Sequence, residues 1–280
     1  MRHITYFLCS SVEFLHFIVF TNKRLDHTHT FDVFLYRFIK LVILFENAYE
    51  DRTNHTDYLK KSKTKKRNDN NIETLAAIRH FIVETPKAAR AHLKHLGHPT
   101  PIAELVITPI PQTPTPAALD ALLAPALQGH ALGLLSDAGC PAVADPGAEL
   151  VARAHQLGIP VRPLIGPSSI LLALMASGLG GQRFHFHGYL PIAAAERQRS
   201  IKALEAESRK QHCTQIFIET PYRNNALLAT LLTTCAPATR LCIATDLTGA
   251  NEHIRAQPIS QWRKHPTELP RTPTIFLLHA

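Results

Sequence analysis

Ser136-Asp137-Ala138-Gly139-Cys140-Pro141-Ala142-Val143-Ala144-Asp145-Pro146-Gly147 brings two carboxylates, two glycines and two prolines together, after the apolar run Ala131 to Leu135 and ahead of a helical pattern. A strand that ends in such a loop is where an α/β fold turns backbone groups toward a ligand. Gly139 and Gly147 lack a Cβ, so the chain there can adopt positive φ or lie directly against a bound molecule. Asp145-Pro146 has the composition of a helix start, with a carboxylate to cap free N–H groups and proline at the first position. The plain alternative is an ordinary strand-loop-helix corner.

A second loop of this kind follows. Ile159 to Ile165 leads into Gly166-Pro167-Ser168-Ser169 and the apolar helix Ile170 to Ser177, which Ser168 or Ser169 can cap. The free N–H groups at that helix start suit a polar or anionic atom. On adjacent parallel strands the two loops would wall one cleft. Taken alone, Gly-Pro-Ser-Ser is a common turn composition.

Farther along stand Arg183-Phe184-His185-Phe186-His187-Gly188-Tyr189-Leu190-Pro191, then Glu219-Thr220-Pro221-Tyr222-Arg223, then Asp246-Leu247-Thr248. In this order and spacing, over roughly residues 73 to 280, the set resembles the S-adenosylmethionine-dependent tetrapyrrole-methylase superfamily, and within it the 16S ribosomal RNA (cytidine-2′-O)-methyltransferase branch. The resemblance implies a two-domain α/β fold with the methyl donor in the cleft between domains. It gives donor contacts to Asp137, Ala138, Gly139, Asp145, Pro146, Gly147, Gly166, Pro167 and Ser168, and substrate contacts to Glu219, Arg223, Asp246 and Thr248. Gly249 stands where the family has lysine. The implied activity is methyl transfer to a ribosomal RNA cytidine, with Glu84 or Asp137 taking the proton from a ribose hydroxyl; either can instead only hold the structure. The alternatives are a tetrapyrrole or other small molecule as acceptor, or a donor-binding or inactive homologue. The resemblance also implies a homodimer.

The front of the chain departs from that pattern. Residues 1–71 hold no glycine, no proline, one alanine (Ala48) and eight of the 13 phenylalanines, so a compositional boundary falls there. Phe81 to Lys87 is recognisable as the family's acidic stretch and Glu73 to Ala77 as the end of its first helix, but no first strand or proline-rich loop precedes them. Lys60 to Asn71 has the make-up of a solvated linker. Residues 1–71 are therefore expected to be an acquired extension, a displaced or frame-altered beginning, or the product of a wrongly chosen start codon. The expected domains are 72–181 and 182–280, joined near Gly180-Gly181-Gln182.

Other properties narrow the function classes. Ile4 to Phe20 carries Glu13 and His16, and Phe31 to Phe45 is short and carries Asp32, Arg37 and Lys40, so neither has the make-up of a membrane span or secretory signal. Five cysteines, at 9, 140, 213, 235 and 242, show no paired metal or redox spacing, in keeping with a reducing cytoplasm. No metal is expected: His185 and His187 share a strand face but have no third ligand at a fixed spacing. The net charge is +8. Arg197, Arg199, Lys202, Arg209 and Lys210 lie around the helix Ala193 to Gln211 and offer a basic face for RNA phosphates, or simply a solvated helix surface.

Hydrophobic period and punctuation predict strands at Phe81–Val83, Ala131–Ser136, Val161–Leu164, Arg183–Tyr189, Gln215–Glu219, Arg240–Thr245, His253–Ala256 and Thr274–His279. Helices are predicted at Ala148–Leu157, Ile170–Ser177, Ala193–Gln211 and Tyr222–Thr234.

Overall fold

A computed structural model describes residues 43–45, 74–164, 166–265 and 267–280. The apolar run Ile4 to Phe20, most of Phe31 to Phe45, the lysine-rich 60–71, His27, His29 and Cys9 lie outside the described residues. The chain divides into two compact units, Met1–Pro167 and Ser168–Ala280.

The first unit is a five-stranded sheet of β1 (Ile43–Phe45), β2 (His80–Val83), β3 (Val106–Pro109), β4 (Leu132–Leu135) and β5 (Val161–Pro163), in the order β3-β2-β4-β1-β5. β2 runs parallel to β3 and β4, while β1 is antiparallel to both β4 and β5. Sequence offered no first strand; in the structure Ile43–Phe45 pairs between β4 and β5. The strands β4 and β5 are therefore not adjacent, as the two-loop reading supposed. They are parallel to one another across β1, and Leu134 and Pro163 both pair with Ile43, so their carboxyl ends emerge on the same side.

Both faces of β2 and β4 are covered, which is why these two strands are nearly continuously apolar. Ile82, Leu132 and Leu134 pack with Leu119, Leu123, Leu150 and Ala154 from α2 (Pro116–Leu127) and α3 (Ala148–Gln156). Phe81, Val83 and Leu135 face the other way, onto Ala89 and Leu93 of α1 (Pro86–His95). Arg153 of α3 grips Asp120 of α2 through both carboxylate oxygens, at 2.6 and 3.0 Å, and this pairing holds the Asp120 carboxyl below its usual range.

The second unit carries a mixed sheet, β6-β7-β10-β8-β9, made of β6 (Phe184–Tyr189), β7 (Thr214–Glu219), β8 (Arg240–Thr245), β9 (His253–Pro258) and β10 (Thr274–His279). Only β6 and β7 pair in parallel. Phe217, Ile243, Phe276 and Leu278 bury one face with Ile201 and Leu204 of α5 (Ala194–Gln211), Leu227 and Leu231 of α6 (Asn224–Thr234), and Trp262 of α7 (Ile259–Lys264). The opposite face, with Ile216, Cys242, Ala244 and Leu277, receives Ala173 and Leu174 of α4 (Ser169–Ser177). Because α4 packs on this sheet, the units divide at Pro167/Ser168, ahead of the Gly180–Gln182 junction read from sequence.

Elements that the sequence reading did not name are β1, β3, α1, α2 and α7. Proline stands in the first turn of both α1 and α2, and again at Pro125 inside α2. A reading that treats proline as punctuation loses such helices, although proline at the first turn removes only an N–H that has no intrahelical partner.

Candidate functional site

The loop after β4 is shaped mainly by its backbone. Gly139 (φ 68), Ala142 (φ 66), Ala144 (φ 60) and Gly147 (φ 127) all lie at positive φ. Two of these are alanines, residues that seldom adopt such angles, so surrounding bonds must hold them there. Ala142 donates its N–H to the Pro146 carbonyl at 3.2 Å, and Val143 donates to Cys140 at 3.0 Å. The helix then begins at Ala148, with Gly147 at the N-cap and no side-chain cap. This corrects the expected start at Asp145-Pro146: the Pro146 carbonyl is committed to Ala142, and the turn at Gly147 intervenes.

Side chains fix the base of this loop. Buried Ser136 donates its hydroxyl to the Ala138 carbonyl at 2.9 Å. Asp137 donates its N–H to Glu84 Oε2 at 3.0 Å, and Glu84 donates its own N–H to the Leu135 carbonyl at 3.2 Å. Glu84, at the end of β2, thus clamps the chain leaving β4. The Asp137 carboxylate is half-buried. At the crest, Ala138 and Gly139 are exposed, and a Cβ on Gly139 would meet only the Asp145 carboxylate, at 3.5 Å. Open backbone on a tied base suits a ligand that lies along the main chain.

The loop after β5 meets this one. The Cys140 thiol donates to the Pro167 carbonyl, with Sγ 3.7 Å away. Gly166 is half-buried and Pro167 exposed, and Ile165 lies outside the described residues. Ser168 occupies the N-cap of α4 and its carbonyl accepts from Leu172 at 2.9 Å, but its hydroxyl makes no cap bond.

In the second unit, β7 and β8 both run antiparallel to β10, and Glu219 and Thr245 both pair with Thr274. Their carboxyl ends therefore flank one strand, which brings together the stretch from Glu219 to Arg223 and the turn from Asp246 to Thr248. Glu219 is buried. Its Oε1 accepts from Arg223 Nε (2.9 Å), Arg223 Nη2 (2.6 Å) and the Thr220 N–H (2.6 Å), and its Oε2 is buried with no hydrogen-bond partner among the described residues. Such burial makes Glu219 an anchor for Arg223, whose guanidinium reaches the surface.

The second turn is a tight one, with Asp246 (φ 48) and Thr248 (φ 62) both left-handed. Asp246 Oδ2 accepts from the Asn251 N–H at 2.9 Å, and the Thr248 N–H donates to Glu252 Oε2 at 2.7 Å. A Cβ on Gly249 would collide with the Asp246 carboxyl group. Gly249 therefore belongs to this turn, and a larger residue there must displace the Asp246 carboxyl group.

One expectation about charged side chains changes. Arg197 is buried, donating from Nε to Thr230 Oγ1 (3.1 Å) and from Nη1 to the Ile192 carbonyl (3.0 Å), so it packs α5 onto α6; Arg199, Lys202, Arg209 and Lys210 are exposed. His185 pairs with Glu207 at 3.1 Å and His187 with Gln215 at 2.6 Å. Among the described residues no group of three His, Cys, Asp or Glu side chains is placed to hold a metal, and no helix is long and apolar enough to cross a membrane.

Sequence reasoning missed Asn224, Asn225 and Arg271. Asn224 is buried and donates Nδ2 to the Thr272 carbonyl (3.0 Å) and Thr274 Oγ1 (2.9 Å). Asn225 exchanges two hydrogen bonds with the Leu269 backbone, at 3.1 and 2.8 Å. The only available signal was a pair of asparagines directly after Arg223.

Residues 56–262 match the family model described as Tetrapyrrole (Corrin/Porphyrin) Methylases. A Pseudomonas aeruginosa protein named Ribosomal RNA small subunit methyltransferase I is 38% identical over 133 residues, 48% of this chain and 46% of the relative. Its namesake in Vibrio cholerae is 34% identical over 156 residues, 55% and 53% of the two chains. The chain spans about half the length of the curated relatives it matches. Among solved structures, diphthine synthase shares the fold, with a TM-score of 0.51 and 14% identity over 74% of this chain and 82% of that one.

Proposed function

We propose that this chain, which belongs to the tetrapyrrole (corrin/porphyrin) methylase family, is an S-adenosylmethionine-dependent methyltransferase whose acceptor is the ribose 2′-hydroxyl of a cytidine in small-subunit ribosomal RNA. The observation that carries the reading is the open, clamped loop after β4, within a chain whose curated relatives are named for ribosomal RNA methylation.

The donor, when bound, supplies a methyl group already made electrophilic by its sulfonium. What the protein must add is placement, which can be worth several kcal/mol. Ala138 and Gly139 would hold the donor by backbone contact, with Gly147, Asp145 and Pro146 shaping the loop and Gly166, Pro167 and Ser168 closing it from the β5 side. Glu84 already accepts the Asp137 N–H, which suits it to fixing the loop. The half-buried Asp137 carboxylate is then the better acceptor for the ribose proton. On the second unit, Arg223 held by Glu219, with Asp246 and Thr248, would contact the RNA. The enzyme would work in the cytoplasm, as a homodimer.

The test is transfer of labelled methyl from S-adenosylmethionine to small-subunit RNA, alongside calorimetric donor binding. Gly139→Val should abolish donor binding, because valine at φ near 68 is strained whatever room it has. Asp137→Asn should lower transfer by about a hundredfold or more, beyond any loss of donor affinity read by calorimetry. Label entering a tetrapyrrole instead of RNA, or undiminished transfer by Gly139→Val, would sink the assignment.

A further inference from the structure

Tyr222 is 81% exposed, the most solvent-open large hydrophobic side chain among the described residues. It sits on the short helical turn Pro221–Arg223, and the Arg271 guanidinium lies over its ring, 5.7 Å from the centroid. Neither backbone segment is loosely attached. The turn of Tyr222 is clamped by the two bonds from Arg223 to buried Glu219. The loop that bears Arg271 is tied to the next residues of the chain by Asn224, through the Pro270 and Thr272 carbonyls, and by Asn225, through Leu269. These bonds thus hold the two backbone segments that bring an aromatic ring and a guanidinium together, and leave most of the ring facing water.

The chemistry of such a stack favours one class of occupant. A tyrosine ring and an arginine plane are flat, polarisable and hydrogen-bonding at their edges, which matches an unstacked nucleobase. Arg271 brings a positive charge with no carboxylate partner among the described residues, which suits a phosphate beside that base. A protein-binding patch of comparable exposure would be expected to continue into aliphatic neighbours, whereas the group that lies over this ring is the Arg271 guanidinium.

We infer that Tyr222 and Arg271 form a stacking platform for an unpaired base of the RNA substrate, placing it at the carboxyl end of β7; this rests on the RNA reading proposed above. The held backbone matters because less loop freedom is left to lose on binding.

The experiment is fluorescence anisotropy of the full chain with a labelled single-stranded oligoribonucleotide containing cytidine, with donor calorimetry on each variant. Tyr222→Ala should weaken RNA binding about tenfold or more, and Tyr222→Phe should retain it within about twofold. Arg271→Lys, which keeps the charge but loses the plane, should fall between parent and Tyr222→Ala. Donor affinity should be unchanged in all three. If the parent binds RNA and Tyr222→Ala binds it equally well, the platform is wrong and the RNA reading stands. If the parent binds donor but no RNA, both fall. A Tyr222→Ala chain with altered sedimentation mass and unaltered RNA affinity would assign the ring to a contact between copies, and overturn the platform.

Discussion

The loop after β4 and the corner after β7 occupy corresponding places, each at the carboxyl end of a strand, yet they are specified in opposite ways. The first holds its shape in the main chain, through four positive φ angles between Gly139 and Gly147. The second holds it in side chains, through Glu219, Arg223, Asn224 and Asn225. A backbone-coded site rejects any added Cβ at its turning points. A side-chain-coded site tolerates an isostere but not the loss of an acceptor. The two corners should therefore fail under different substitutions, and four perturbations separate them.

The largest effect is expected at an interior strand of the first sheet. Leu44 of β1 pairs with Gly133 on one side and Arg162 on the other. Leu44→Pro removes a ladder donor from a central strand and should cost roughly 3 kcal/mol or more. Hydrogen exchange should show loss of protection across β4 and β5, with β7 and β10 of the second sheet unaffected. Unchanged protection at Leu132–Leu135 would mean that β1 contributes nothing to the sheet.

Next comes Gly147→Val. A residue at φ 127 is outside the range of side-chain-bearing amino acids, and its Cβ would stand 2.7 Å from Leu134 Cδ2. Strain and overlap together should cost about 3 kcal/mol, read as a lower urea midpoint, with donor binding lost. A variant as stable as the parent would show that the loop re-forms freely, contrary to a backbone-coded site.

Glu219→Ala should follow, at about 2 kcal/mol, since it strips the acceptor from Arg223 and the Thr220 N–H but leaves Arg223 some access to water. Glu219→Gln keeps an acceptor oxygen and should cost roughly half as much. Equal losses in the two variants would make charge, not hydrogen bonding, the organising force of that corner.

How far sequence reading went follows from the same contrast. Backbone-coded features announce themselves through glycine and proline, so the β4 and β5 loops and the strands before them were legible, and predicted β8 and β10 coincide with the observed bounds. The placement of Asp145-Pro146 at a helix start failed because composition does not say which N–H the Pro146 carbonyl will accept. Arg197 was misread as a surface cation because helical spacing does not reveal that Thr230 and the Ile192 carbonyl wait on its inner side. Arg271 was invisible for a related reason: its partner, Tyr222, is remote in sequence, and the asparagines that bring them together act through backbone carbonyls.

The smallest effect concerns thiols, and it compares loop and core directly. Burial pushes the Cys235 and Cys242 thiols up to about 12, and burial also raises Cys213, so these three carry almost no thiolate at pH 8. Cys140 is half-buried on the β4 loop, against the Pro167 carbonyl. Iodoacetamide at pH 8 should therefore modify Cys140 well before Cys213, Cys235 or Cys242, and bound S-adenosylmethionine should slow that modification if the donor lies along this loop. The same thiols give the second unit a pH signature. Because their folded pKa is raised, their contribution to stability is whole below the unfolded value near 9 and is lost as pH climbs from there toward 12. Labelling of Cys242 at the rate of Cys140 would mean that the second sheet opens as readily as the loop, and the contrast between a rigid core and an open backbone site would fail.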